Sequence, residues 1–285
     1  MKKYLLWGAL AVVGLLVAIT VVALWQTKKN PAPITYKGTY VALGDSVAAG
    51  VGLDEYADSS ACNRTTQAYP TVVAAKLHYK LQSVACGGAT TQNGLMGPQD
   101  VNQLMVPPQI KAATTGSKPQ LITLTIGAND ADWTTFLQKC YVATCGSSSD
   151  TDAVTAGVAS AVSNIRLALD QIHSTYPTET PRVVITGYYQ LFPTSPSANC
   201  AELTGIDSAE LAWIATLQSS VNTALQSVAV DYSFVRYVPI SFAGHELCTS
   251  TPWIQGLGAK AAYHPTAAGQ AAMADQIVQA LKVRP

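Results

Sequence analysis

Residues Thr39–Gly52 read TYVALGDSVAAGVG. A short apolar run with strand-forming Tyr and Val stops at Gly44, gives way to Asp45 and Ser46, and continues in small residues. Three more runs share that character: LITLTIG (Leu121–Gly127), RVVITGYY (Arg182–Tyr189) and FVRYVPI (Phe234–Ile240), with LQSVA (Leu81–Ala85) a weaker fifth. Helix-like stretches separate them: Tyr69–Tyr79, Thr151–Thr175, Asp207–Val230 and Thr266–Leu281. In the second, Val154, Val158, Ala161, Val162, Ile165, Leu169 and Ile172 recur at steps of three and four, the mark of one buried helical face. Short apolar strands alternating with longer helices predict an α/β fold with a parallel sheet covered on both sides. Ligands of such sheets bind beyond the carboxyl ends of the strands. Ser46 follows the first strand and Asn129 the third, so both fall on that face.

Composition narrows the classes. The chain has 285 residues, 48% of them hydrophobic and only 12% charged, about half the usual ~25%. Lys plus Arg and Asp plus Glu both number 17, so no net field gathers nucleic acid, and a nucleic-acid partner is not expected. Part of the apolar excess is local: Tyr4–Trp25 carries no charge, follows Lys2 and Lys3, and has Trp7 and Trp25 near its ends. About 20 helical residues span a bilayer core, so residues 1–30 read as an uncleaved membrane anchor. A signal peptide cut near Val21–Ala23 is the second reading. Residues 31–38 then read as a polar, proline-bearing linker and residues 39–285 as one domain, with neither internal repeats nor a second linker. The six cysteines include no CxxC motif and the chain has four histidines, so zinc-type spacing is absent and neither metal nor cofactor is expected. An even cysteine count behind an export segment implies an oxidising compartment, with the body of the protein outside the cytoplasm. Six cysteines allow fifteen connectivities.

Nucleophilic acyl transfer needs a serine, a base within hydrogen-bond reach, and donors aimed at the developing oxyanion. His78 and His173 fall in predicted helices, and His245 beside Glu246-Leu247-Cys248 suits a structural role. His264 opens HPTAAGQAAMADQI, where Pro265 fits the first turn of the last helix. ACGGATTQNG (Ala85–Gly94) follows the second strand with glycines that expose backbone N–H groups, and TIGAND (Thr125–Asp130) follows the third. Each piece alone reads equally well as a turn or a cap.

Together and in order, GDSVAAG, GGATT, GAND and YHPTAAG resemble the four sequence blocks of the SGNH hydrolases, the GDSL lipase/esterase family, over residues 39–285. The settings ACNR, ACGGATT and CTSTPW look like the secreted, disulfide-bearing bacterial branch. The resemblance implies a three-layer α/β/α sandwich on a five-stranded, flavodoxin-like parallel sheet, and carboxylic ester hydrolysis by a monomer. Ser46 matches the nucleophile and His264 the general base. The Ser46 N–H, the Gly88 N–H and the Asn129 side-chain amide match the oxyanion donors, with Gly88 preferred to Gly87 because it directly precedes Ala89-Thr90. With proximity along the chain, the resemblance also implies the pairs Cys62–Cys86, Cys140–Cys145 and Cys200–Cys248. Asp45 then holds the serine loop by hydrogen bonds.

One departure stands out. The family places an Asp three residues before the histidine, where this chain has Ala261. Some members of the branch resemble an arrangement with a main-chain oxygen as third partner, and the Ala261 carbonyl is the first candidate. Asp275 and Glu246 are acids without a spacing argument. For the substrate, Met96 and Met105 in LMGPQDVNQLMVPPQI (Leu95–Ile110) suggest an adaptable acyl pocket, and the membrane segment suggests lipid esters or acylated envelope polymers. A non-hydrolysing module that binds such polymers is the second functional reading.

Overall fold

The computed structural model describes residues 35–58, 61–196 and 200–282. The Tyr4–Trp25 segment and the first half of the linker lie outside these, and among the described residues no helix is long and apolar enough to cross a membrane. Lys37–Pro285 forms one compact unit.

Its centre is a parallel sheet of five strands: β1 (Gly38–Gly44), β2 (Tyr79–Ser83), β5 (Leu121–Thr125), β6 (Arg182–Thr186) and β7 (Val235–Val238), in the order β2-β1-β5-β6-β7. A two-residue turn at Asn102 and Gln103, both at positive φ, joins β3 (Gln99–Val101) to β4 (Leu104–Val106) in a small separate hairpin. Tyr40–Leu43 and Leu121–Leu124 are almost wholly buried, as strands with a layer on each face must be. Against the sheet, the Tyr40 hydroxyl meets Thr123 Oγ1 at 2.7 Å, the hydroxyl of Tyr69 from a covering helix meets Thr125 at 2.7 Å, and Thr125 meets Thr186 at 2.6 Å. These buried hydroxyls satisfy one another, which removes most of the cost of burying them.

The helices are α1 (Ser46–Ala49), α2 (Tyr69–Leu77), α3 (Ile110–Thr114), α4 (Trp133–Val142), α5 (Ser148–Thr175), α6 (Ser208–Ala229) and α7 (Ala267–Lys282). The crossover from β1 to β2 runs one way along the sheet, and those from β5 through β6 to β7 run the other way. Right-handed connections therefore put α2 on one face and α5 and α6 on the other. Packing agrees, for α2 lies against α7 and α5 against α6. The result is the expected three-layer sandwich, and the direction of winding reverses between β1 and β5. That switch point is where a ligand crevice opens.

The long helices keep close to their expected bounds. Helix α5 starts three residues early because Ser147 and Asp150 form a reciprocal capping box ahead of the first apolar position. Strand β2 begins and ends two residues before LQSVA. Disulfides join Cys62 to Cys86, Cys140 to Cys145 and Cys200 to Cys248.

Candidate active site

Strand β1 ends at Gly44 with φ +145, where a Cβ would stand 2.4 Å from the Thr125 carbonyl oxygen. Glycine lets the chain leave the sheet here. The Gln109 side chain locks the exit, accepting the Gly44 N–H at 2.7 Å and donating to its carbonyl at 2.9 Å. Asp45 then caps the single turn of α1, its Oδ1 accepting the Val47 N–H at 2.9 Å. Its other oxygen accepts the Tyr188 hydroxyl at 2.5 Å. Asp45 is 1% exposed, and burial, only partly offset by these bonds, pushes its carboxyl up to about 6. From the far side, buried Gln270 donates to the Val47 carbonyl at 2.9 Å and accepts the Tyr69 N–H at 2.7 Å. Ser46 is thus the half-buried residue of a loop clamped on every other side.

His264 reaches it from the other end of the chain. Ala261–His264 is a turn in which the His264 N–H donates to the Ala261 carbonyl at 3.2 Å and Tyr263 takes φ 68. The turn is strapped to Trp253–Gln255 by three main-chain bonds: Tyr263 N–H to Gln255 O, Gln255 N–H to His264 O, and Thr266 N–H to Trp253 O, each 2.8 Å. The Tyr189 hydroxyl adds a bond to the Tyr263 carbonyl at 2.7 Å. So held, His264 Nε2 lies 2.7 Å from Ser46 Oγ and Nδ1 lies 3.0 Å from the Ala262 carbonyl oxygen. The hydrogen bond at Nδ1 is therefore to the Ala262 carbonyl, one residue beyond the first candidate, Ala261. The turn sets this order: Ala262 makes the direct contact, while the Ala261 oxygen, which also accepts the histidine's own N–H, acts on the ring more weakly. Burial holds the imidazole below its usual 6.5, against the opposing pull of the Ala262 and Ala261 carbonyls. Asp275 pairs instead with Lys76 at 2.8 Å, and Glu246 accepts the Gly244 N–H at 2.8 Å.

The two glycine-bearing loops close the third side. Gly88 takes φ +74, and Gln99 steadies the loop by donating to the Gly87 carbonyl at 2.8 Å. Asn129 Nδ2 donates one hydrogen to the Ala89 carbonyl at 2.8 Å, which leaves its second hydrogen and orients the amide. The neighbouring Asp130 accepts the Thr91 N–H and hydroxyl, tying the loops together. Among the described residues neither the Ser46 N–H nor the Gly88 N–H has a hydrogen-bond partner.

Ser46, Asn129 and His264 open onto a cleft of about 390 Å³ whose walls include Trp133, Leu137, Tyr141, Leu191, Val221 and Leu257. Met96 and Met105 are not among its walls: Met96 packs against the core and Met105 is 63% exposed on β4. The stretch Leu95–Ile110 folds into the small hairpin, and helix α4 supplies the apolar wall instead. Sequence reading missed Tyr188 and the three clamping glutamines, which give no signal until the fold brings their distant partners close. The remaining histidines are elsewhere. His78 caps α2, His173 stacks on Phe234, and His245 stacks on Trp253.

A hydroxyl, an imidazole and unclaimed N–H groups meeting at the switch point of a doubly wound sheet are the equipment of an acyl-transferring hydrolase. The chain belongs to the GDSL-like lipase/acylhydrolase family, whose model matches residues 42–272. It is 31% identical over 246 residues to a lipase of Streptomyces rimosus, covering 84% of this chain and 85% of that one. It is 32% identical over 242 residues to lipase 1 of Streptomyces coelicolor, covering 81% and 82%. Among solved structures, the extracellular lipase from Streptomyces rimosus matches with a TM-score of 0.67 and 30% identity, over 85% of this chain and 99% of that one. Phospholipase A1 from Streptomyces albidoflavus matches with a TM-score of 0.66 and 28% identity, over 85% and 98%. The protein is an ester hydrolase.

Proposed function

We propose that the chain cleaves lipid-type carboxylic esters through an acyl-Ser46 intermediate, using a Ser46–His264 dyad with the Ala262 carbonyl as third partner. One observation carries this reading: His264 Nε2 stands 2.7 Å from Ser46 Oγ while Nδ1 is held by a main-chain oxygen. A carbonyl can accept only from a protonated Nδ1, so Nε2 of the neutral ring is left as the base. Ser46 Oγ attacks the ester carbonyl, and its proton passes to Nε2. The Ser46 N–H, the Gly88 N–H and the Asn129 amide receive the oxyanion. The imidazolium then protonates the leaving alcohol as the C–O bond breaks. Water repeats the sequence on the acyl-enzyme, releasing the acid and restoring Ser46. The carbonyl steadies the imidazolium less than a carboxylate would, since it carries only a dipole.

The apolar walls of the cleft and the lipase and phospholipase A1 names of the relatives support a lipid-type acyl group. Three disulfides and the uncharged apolar stretch Tyr4–Trp25 support action outside the cytoplasm, where such bonds persist. The test is hydrolysis of p-nitrophenyl acetate, butyrate, octanoate and palmitate by the wild type and Ser46→Ala, with fluorophosphonate labelling alongside. The reading requires labelling and turnover that both vanish in Ser46→Ala, with octanoate or palmitate preferred to acetate. A protein inert to every ester and to the probe would instead favour binding of acylated polymers. Asn129→Ala is expected to lower kcat by roughly 10- to 1000-fold.

A further inference from the structure

We propose that Tyr188 is a positioning residue for ester hydrolysis, its phenol setting the spacing between the loop that carries Ser46 and the loop that carries Asn129. The inference rests on the oxyanion role of Asn129 given above. The Tyr188 hydroxyl donates to Asp45 Oδ2 at 2.5 Å and its oxygen accepts the Ala128 N–H at 3.2 Å. Asp45 immediately precedes Ser46, and Ala128 immediately precedes Asn129. One oxygen atom therefore touches both loops, each one residue from a group assigned to the chemistry.

A brace works only if its own foundation is stiff. Tyr188 follows β6, and its main chain is gripped by helix α6. Asn222 accepts the Tyr188 N–H at 2.8 Å and donates to its carbonyl at 2.8 Å, and Gln218 donates to the same carbonyl at 3.1 Å. The ring is 8% exposed, and burial drives the phenol well above its ordinary 10, so it stays protonated and able to donate across the working range. The next residue acts on the third loop: the Tyr189 hydroxyl holds the Tyr263 carbonyl beside His264.

This division of labour gives a test that general damage to the fold does not mimic. In the full-chain enzyme, Tyr188→Phe should lower kcat for p-nitrophenyl butyrate by about 10- to 100-fold, since ~1 Å of misplacement costs that much. KM should stay within about threefold, because the lost alignment matters only in the transition state. With Asn129→Ala already present, Tyr188→Phe should cost less than about threefold more, because the donor it aligns is gone. Tyr189→Phe, which loosens the histidine turn, should multiply with Asn129→Ala instead. Full turnover in Asn129→Ala would overturn the oxyanion reading itself. An impaired Asn129→Ala with wild-type kcat in Tyr188→Phe, or with effects that multiply, would overturn only the role of Tyr188. If Tyr188→Phe does not fold, Asn222→Ala substitutes. It should give a smaller fall in kcat that likewise disappears with Asn129→Ala, and unchanged or multiplying rates would overturn the proposal.

Discussion

Asp45 is a buried carboxyl that ionises at a cost, and replacing it by asparagine measures that cost. Its carboxyl is raised from 3.8 to about 6, chiefly by burial, with the bonds from Tyr188 and Val47 opposing and the charge of Asp130 adding to it. An acid raised in the folded state binds more protons folded than unfolded between those two values. Its contribution to stability is thus greatest below 3.8 and is lost as the pH rises through about 6. Two units at 1.36 kcal/mol each make the loss about 3 kcal/mol. Asparagine does not titrate, and its shape preserves the acceptor for the Val47 N–H. Subtracting the unfolding free energy of D45N from that of the wild type therefore isolates the Asp45 contribution from the other titrating groups. Urea unfolding of the oxidised full chain at a series of pH values should show that difference fall by about 3 kcal/mol between pH ~3.5 and ~7.5. A difference that stays flat, or that rises with pH as for an ordinary salt-bridged carboxylate, would refute the claim that Asp45 ionises at a cost. The carboxylate is nonetheless the group that joins Val47 to Tyr188, so whatever stability D45N gains near neutrality should come with slower turnover.

The proposed base makes a kinetic counterpart. His264 is held below 6.5 by burial and must be neutral to accept the serine proton. The acid limb of kcat/KM for an uncharged ester should therefore have its midpoint below 6.5 and lose activity as pH falls through it; a midpoint above 6.5 would contradict the assignment. Gly44→Ala brings a Cβ within 2.4 Å of the Thr125 oxygen and 2.9 Å of Ala48 Cβ at φ +145, and should cost about 2–4 kcal/mol in urea unfolding. Near-wild-type stability would mean that the loop yields more readily than its clamps imply. The Cys62–Cys86 bridge spans 24 positions, and replacing both cysteines by alanine should cost about 3 kcal/mol by the loop-closure estimate, read in the same unfolding experiment.

What the sequence displays and what it conceals follow one physical line. The central strands are buried on both faces and so read as unbroken apolar runs, and the long helices carry one periodic stripe each. Strand β2 is an edge whose residues alternate between exposed and half-buried. Its strongest apolar signal, Val84 and Ala85, lies just past the ladder, which drew the expected strand two residues too far along. Helix α4 divides its apolar side chains between two surroundings, with Phe136 and Cys140 in the core and Trp133, Leu137 and Tyr141 on the cleft. These five in fact recur at steps of three and four on one face, but the helix has only ten residues, too short a window for its period to stand out. Of the proposed site, Ser46, Gly88, Asn129 and His264 were legible because each belongs to a short local motif at the end of an element. The supports are different in kind. Gln109 meets Gly44 across 65 positions and Gln270 meets Val47 across 223, and a glutamine in sequence looks like surface. The proposed third partner of His264 lies one residue from the first candidate for a related reason. A side-chain acid can be sought by its identity, but every residue has a carbonyl. Only the geometry of the turn decides which one lies nearest the imidazole. In the proposed dyad the histidine is steadied by backbone, so its alignment depends on loop geometry where a carboxylate would supply charge, and buried amides and phenols brace these three loops.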